Sequence, residues 1–283
     1  MQVYFRAKPQ AERVALPVRS VGEVVIQSRF FLVLTCFVLS GFAALLYETA
    51  WTRELGFLFG SSELAVAAVL GAYMGGLAFG ASVAARVAHR VTRPVLVYGV
   101  LELTIALAAL AMPFALQGVT TVYVAIFGGA PAPPPQGQFW ATAFQFGSAF
   151  LLLLIPTSCM GATLPLLARY CVEEDAHVGP RIGALYSINV VGAVAGVVVA
   201  GFVLLPEIGL RRTVWVGAAT NALVFVIAAL LARGVAASGA GPRPARRADF
   251  SWVLPVICLS GATSFAYEIL WMRLLSHVLG GSM

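Results

Sequence analysis

Long apolar stretches constrain this chain more than any other feature of its sequence. A transmembrane helix needs about 20 consecutive, mainly apolar residues. Hydrophobic residues make up 60% of the 283 and charged residues only 11%, whereas soluble domains carry about 25% charge. The chain is therefore predicted to be an all-α polytopic membrane protein in contact with the lipid bilayer. Seven stretches are long enough to span it: residues 30–50, 63–85, 94–116, 139–168, 182–205, 212–232 and 252–274.

The cationic residues predict the orientation. Residues 1–29 are polar and basic, and the apolar run that follows them is too long for a signal peptide. With this arm inside, fourteen of the 18 lysines and arginines fall in inner segments. Because inner loops are enriched in Lys and Arg, the N-terminus is predicted to be cytoplasmic. The preference for arginine over lysine is the bias that a GC-rich bacterial genome would produce, and no mechanism is inferred from it.

Several function classes have no support in the composition. The four cysteines and three histidines are scattered and show no metal-ligand spacing. The net charge of +6 is not concentrated in a basic patch interleaved with aromatic residues, so no nucleic-acid partner is expected. No metal site and no cofactor are predicted.

An internal repeat predicts the domain organisation. The segment "LSGFAALLYETAWTRELGFLFGSS" at 39–62 recurs 220 residues later as "LSGATSFAYEILWMRLLSHVLGGS", with ten identical positions. Solenoid repeats are much shorter, about 20 to 50 residues, whereas two six-helix halves in parallel are the plan of major-facilitator transporters. The predicted units are a basic arm (1–29), a six-helix major-facilitator-like half (30–232), a cytoplasmic linker (233–249) and the first helix of a second, incomplete bundle (250–283).

The repeated segment carries candidate polar site residues near the outer ends of its helices. They are Tyr47, Glu48 and Arg53 in the first copy, and Glu268 and Arg273 in the second. One interpretation is interfacial anchoring, with the glutamate partly solvated; the other is an outward-facing ligand or proton site. A Glu and an Arg five residues apart point about 140° away from each other on a helix, so they are not expected to pair along it.

Glu102 is the candidate in the middle of a span. An ionised carboxylate at that depth is unfavourable and usually faces the bundle interior, where it is protonated or paired. A functional and a structural role both remain open. Asn189 and Asn221, also mid-span, are candidate hydrogen-bond partners between helices.

Small residues predict close helix packing in the second and fifth spans. The pairs Gly71/Gly75 and Gly76/Gly80 follow a Gly-x-x-x-Gly pattern, as do Gly192 and Gly196. Such faces let two helix backbones approach closely, either as static packing or as faces that slide during transport. In the fourth span, prolines at 156 and 165 predict a kink or a break near its end.

Several stretches together resemble a known family. They are the two repeat copies, "LGAYMGGLAFGASVAAR", "MGATLPLLARY" and "GALYSINVVGAVAGVVVAGFVLLPEIGLRRT". These stretches are similar to the membrane portion of bacterial fused major-facilitator/spermidine-synthase proteins, over roughly residues 30–283. In that family a Rossmann-type aminopropyltransferase-like domain follows the bundle and binds decarboxylated S-adenosylmethionine and a polyamine.

The family's catalytic motifs have no counterpart in this chain. It carries no glycine-rich nucleotide loop and only two aspartates, Asp175 and Asp249, so no catalytic residue can be transferred.

The resemblance implies a membrane domain linked to polyamine metabolism and non-catalytic by itself, which leaves the enzyme assignment open. Its partner would be a cytoplasmic spermidine-synthase-like domain or other membrane subunits. The alternatives are a polyamine or small-solute transporter half and a structural subunit of a membrane complex. The seventh helix, without its five expected companions, is predicted to be loosely held or docked on another subunit.

Overall fold

The fold is helical throughout the part of the chain that the structure describes. This structure is a computed structural model, and it describes residues 21–59, 63–128, 139–171, 178–233 and 252–279. No strand occurs in these ranges, which confirms the prediction of an all-α protein. Most of the predicted arm and linker lies outside them. The helices are α1 (Val21–Phe59), α2 (Glu63–Val87), α3 (Pro94–Phe127), α4 (Phe139–Cys171), α5 (Val178–Val199), α6 (Leu205–Arg233) and α7 (Val253–Leu279).

The third helix has well-defined ends and is longer than its predicted span. Pro94 occupies its first turn, where no backbone N–H is needed for the helix. At the other end, Gly128 adopts a left-handed conformation with φ 66°. The Gly128 N–H donates to the carbonyl of Val124 at 2.9 Å, which closes the last turn. The helix therefore extends from Pro94 to Phe127 rather than stopping near 116.

Of the kink or break predicted in the fourth span, the break does not occur, and the kink stays a prediction. Helix α4 is continuous through Pro156 and Pro165, and α3 likewise contains Pro113. Membrane helices tolerate proline because neighbouring helices and side-chain hydroxyls can satisfy the backbone groups that it frees.

The chain departs from α-helical geometry once between α5 and α6 and once within α6. A π-helical turn covers Ala200–Leu204, and Gly209 has non-helical angles of φ 75° and ψ 171°, which glycine adopts readily because it lacks a Cβ. Despite these two departures, Gly179–Arg233 forms one continuous candidate membrane span of 55 residues. A straight helix of that length would measure about 80 Å, far more than the hydrocarbon thickness of about 30 Å.

Five helical stretches within the described ranges are long and apolar enough to cross a membrane. These are Ser28–Gly56, Pro94–Phe127, Phe146–Tyr170, Gly179–Arg233 and Val253–Trp271. The protein is accordingly a membrane protein with several membrane-length helices. The number of seven crossings stays a prediction.

The first six helices pack in a pattern that repeats after three helices. The main contacts join α1 with α5 and α6, α2 with α4, and α3 with α4 and α6. The contacts are the same when α1 is exchanged with α4, α2 with α5, and α3 with α6. Under this exchange the α1–α5 contact corresponds to α4–α2, and the α1–α6 contact corresponds to α4–α3. The bundle therefore contains two three-helix units with equivalent packing.

Two hydrophobic clusters follow each other along α1 and α3. The larger includes Leu46, Trp51 and Ile105, and the smaller includes Phe37 and Tyr98. Outside them the helices present large apolar side chains on their surfaces, as expected for faces that contact lipid. Helix α7 lies at the periphery, and none of its membrane-length window is buried.

Candidate functional site

The most unusual polar group is the carboxyl of Glu102, which is fully buried on α3. It lies between the two hydrophobic clusters, one turn from Tyr98 in one and near Ile105 in the other. The hydroxyl of Ser40 on α1 donates a hydrogen bond to its Oε1 at 2.5 Å. Among the described residues its Oε2 has no hydrogen-bond partner. The predicted mid-span carboxylate is thus enclosed by the bundle and held by a neutral donor.

A second polar contact joins the same two helices one turn away. The Tyr98 hydroxyl donates to the backbone carbonyl of Cys36 at 3.2 Å, and its ring meets Phe37 edge to face at 6.3 Å. The two bonded pairs are each separated by 62 residues in the sequence: Cys36 and Tyr98 in one, Ser40 and Glu102 in the other. Helices α1 and α3 therefore run in the same direction here, and Glu102 has a defined position against α1.

Helix α6 also packs against α1 and α3. A Cβ at Gly217 would lie 2.7 Å from the ring of Tyr47, so Gly217 makes room for that ring. Asn221 follows one helical turn later and is also buried. The Tyr47 hydroxyl and the Asn221 Oδ1 are buried without a partner among the described residues. We call Ser40, Tyr47, Glu102 and Asn221 the polar junction.

The glycines found in the sequence lie at two close helix crossings. Added Cβ atoms at Gly76 and Gly80 of α2 would meet Thr157 and Ser158 of α4, and those at Gly192 and Gly196 of α5 would meet the carbonyls of Val38 and Phe42 on α1. Gly71 and Gly75 instead face the rings of Phe146 and Phe150. Gly41 and Gly161, which belong to none of the predicted glycine pairs, face the backbone of Asn189 and Leu77 across the same crossings.

Of the candidate site residues that the sequence predicted in the repeat, only Tyr47 belongs to the polar junction. Glu48 is buried rather than partly solvated, and its acidic neighbour is Glu268 of α7. Arg53 is exposed on α1, and the side chain of Arg273 lies outside the described residues. In the described ranges, no arginine forms an ion pair with Glu48 or Glu102.

The two mid-span asparagines differ in their contacts. The Asn189 side chain donates from Nδ2 to the carbonyl of Phe37 at 3.0 Å, linking α5 to α1 as a candidate hydrogen-bond partner should. Asn221 belongs to the polar junction. Ser40 and Tyr98 were missed, because no pattern in the sequence distinguishes them from other helix hydroxyls.

The described residues contain no group of three or more His, Cys, Asp or Glu side chains that could hold a metal ion. Cys36, Cys159 and Cys258 are free thiols. The polar junction thus consists of hydroxyl, amide and carboxyl groups.

Comparisons with protein-family profiles, with curated proteins and with solved structures found no match. The polar junction and the packing of the helices are therefore the structural evidence for function.

Removing the hydroxyl of Tyr47 should cost little stability. Because this buried hydroxyl lacks a partner, Tyr47→Phe is expected to change the free energy of unfolding by less than about 0.5 kcal/mol, or to raise it. The comparison variant is Tyr98→Phe, which loses the bond to Cys36 together with the interactions of this hydroxyl with Ser40 and Glu102, and should cost about 1 kcal/mol or more. Thermal unfolding in detergent micelles measures both, and a greater loss for Tyr47→Phe than for Tyr98→Phe would contradict the expectation.

Proposed function

We propose that this chain is the membrane domain of a major-facilitator-like transport protein, in which Glu102 binds and releases the proton that is coupled to movement of a small solute. The observation that carries the proposal is the fully buried Glu102 carboxyl, with a neutral donor on one oxygen and no partner on the other.

The surroundings of Glu102 favour the neutral acid. An ionised carboxylate away from water is unfavourable unless a cation compensates it, and no arginine of the described residues pairs with it. A hydroxyl such as that of Ser40 can donate to either form of the acid. If α1 and α3 separate, water reaches the carboxyl and the ionised form becomes favourable. Proton binding is thereby coupled to the helix arrangement.

The packing of the helices supports the major-facilitator-like part of the proposal. Each half of a major-facilitator transporter contains two three-helix units in inverted orientation. The equivalence of α1–α3 and α4–α6 in their packing is what such a half requires. Since each unit contains three helices, consecutive units would cross the bilayer in opposite directions.

The resemblance supplies the solute class, the partner and the location within the proposal. A polyamine is the proposed solute, and a cytoplasmic spermidine-synthase-like domain is the proposed partner that would carry out aminopropyl transfer. The distribution of cationic residues supports a cytoplasmic N-terminus, and the proposed location is a bacterial inner membrane.

Transport by the purified full chain in proteoliposomes tests the proposal directly. With an imposed pH gradient, labelled spermidine should accumulate above the level of empty liposomes, and a pH-sensitive dye inside the vesicles should report proton movement. Spermidine flux that does not respond to the pH gradient would refute the role of a proton. Absence of flux for spermidine and for a panel of other small amines and neutral solutes would refute the transport function.

A second proposal is a non-transporting membrane anchor for the spermidine-synthase-like partner. The peripheral position of α7 favours it, because a helix with few contacts in its own chain is available to an assembly. A chain that moves no solute, but binds a purified spermidine-synthase-like domain with a fixed stoichiometry, would support this second function.

A further inference from the structure

The end of α3 and the beginning of α4 form a hairpin without charged side chains. Between Glu102 and Arg169 the sequence contains no Asp, Glu, Lys, Arg or His. We call residues 116–127 of α3 and 139–145 of α4 the uncharged hairpin. Its own side chains can form no ion pair with a partner.

Aromatic rings join the two sides of the uncharged hairpin. Tyr123 of α3 is buried, and its ring centroid lies 5.7 Å from that of Phe144 of α4. The ring of Phe127 lies 4.9 Å from Tyr123 and 5.8 Å from Phe144. The two helices are therefore packed together up to the end of α3.

The uncharged hairpin extends past the level at which α1 meets water. The two bonded pairs between α1 and α3 share an offset of 62 residues, which places Ala115 level with Arg53. Arg53 is exposed and Glu54 follows it, and charged side chains are unfavourable in hydrocarbon. Residues 116–127 add about 18 Å beyond this level. The whole of α3 measures about 51 Å, whereas a bilayer with its headgroups measures about 40–45 Å.

The lipid-facing side of α3 continues onto the uncharged hairpin. Its large exposed residues follow at intervals of two helical turns: Val100, Leu107 and Phe114. Thr121 and Ala125 continue this line and are also exposed. Val122 and Ile126 widen the exposed surface. Because the first part of the line faces lipid and no charge marks a boundary above it, lipid is the partner that this surface indicates.

An aromatic pair forms the beginning of α4. The ring centroids of Phe139 and Trp140 are 5.4 Å apart, and the two side chains are 73% and 76% exposed. Tryptophan is enriched at the level of the lipid headgroups. Trp140 precedes Phe144 by one helical turn, and Phe144 contacts the end of α3. The pair therefore marks a membrane boundary at the tip of the hairpin, above the level of Arg53.

We propose that the acyl chains of lipids cover the uncharged hairpin, so that the leaflet on this side is thicker around α3 and α4 than at Arg53 of α1. Long apolar helices are accommodated by tilting or by local thickening of the bilayer. Tilting of α3 by itself is limited, because Ser40 and Tyr98 bond it to α1. With no charged group to select a headgroup, the surface selects lipids by acyl length. This inference goes beyond the proposed function and does not depend on the transport of a solute.

Quenching of Trp140 fluorescence by lipids brominated in their acyl chains tests this contact. The full chain and its Trp140→Phe variant are reconstituted in mixtures of a short-chain and a long-chain phosphatidylcholine, one of which is brominated. The difference between the two proteins reports Trp140. At equal mole fractions the long-chain lipid should be enriched about threefold beside Trp140. Phosphatidylglycerol of the same chain lengths should give the same enrichment.

A lysine on the surface of the hairpin provides the matched pair of variants. Ile126→Lys should remove most of the enrichment, because it places a charge where the acyl chains lie. Val87→Lys should leave the enrichment unchanged, since Val87 is also exposed but follows Arg86 at the C-terminal end of α2. Both side chains are exposed, so both variants should give a monodisperse fraction in detergent like that of wild type.

Several results would overturn the proposal. They are quenching that does not depend on chain length, quenching that follows headgroup charge, and enrichment that persists in Ile126→Lys. Free quenching by iodide in the water phase would show that the hairpin stands in water. Shielding from both iodide and brominated lipid would show that a protein covers it, and either result would also overturn the proposal. Because no flux is measured, a negative result here leaves the transport proposal intact, and the reverse also holds.

Discussion

Glu102→Gln is expected to abolish proton-coupled solute movement while leaving the yield of folded protein within about twofold of wild type. Glutamine has nearly the shape of glutamic acid, and its carbonyl oxygen can still accept the hydrogen bond from Ser40. It cannot release a proton when water reaches it, so the coupled step is lost. The measurement is labelled-solute accumulation in proteoliposomes under a pH gradient, with the monodisperse fraction in detergent as the measure of folding.

Ser40→Ala separates the role of the proton from the role of the hydrogen bond. It leaves the Glu102 carboxyl in place and removes only its donor, so accumulation should persist while the free energy of unfolding falls by about 1 kcal/mol. Normal accumulation by Glu102→Gln would show that the carboxyl has a structural role only. Equal loss of accumulation in both variants would assign the effect to the hydrogen bond rather than to the proton.

Alanine at Gly80 or Gly192 is expected to destabilise the bundle strongly. An added Cβ would overlap the carbonyl of Ser158 in the first case and that of Val38 in the second. A backbone carbonyl cannot rotate away as a side chain can, so the two helices must separate. Overpacking usually costs 1–3 kcal/mol, and these positions should lie near the upper end, at about 3 kcal/mol. Thermal unfolding and the monodisperse fraction in detergent report the loss.

Gly147→Ala in α4 and Gly118→Ala in α3 are the controls for this prediction. Neither position has another group within 4 Å of the added Cβ, and alanine favours the helix more than glycine does. Both variants should be as stable as wild type or slightly more stable. If Gly80→Ala behaves like Gly147→Ala, the close crossing of α2 and α4 is wrong.

The membrane character and the buried carboxyl could both be predicted from the chain alone. Apolar length is a local property, because each backbone group in hydrocarbon must be satisfied within its own helix. Glu102 is recognisable since a carboxylate at mid-span is unfavourable wherever the helix packs. The Gly-x-x-x-Gly pattern likewise indicated the crossings at Gly80 and Gly192.

Other features depend on which helices become neighbours. Nothing local distinguishes Ser40 from the other hydroxyls in apolar helices, and its role follows only from its contact with Glu102, 62 residues away. Gly41 lacks a second glycine in a recognisable pattern, yet it lies against Asn189. Of the kink or break predicted in α4, the break is wrong, because proline in a packed membrane helix need not end it.

The sequence by itself determined that the chain is helical and membrane-embedded, and that Glu102 is an unusual residue, because these properties depend on composition along one helix. The tertiary structure alone decided that Glu102 receives a neutral hydroxyl rather than an arginine. It also decided that Tyr47 and Trp51 are buried in α1, whereas the equivalent Tyr267 and Trp271 are exposed in α7. The residue types are the same at these two positions of the repeat, so the difference comes from the neighbours of each helix.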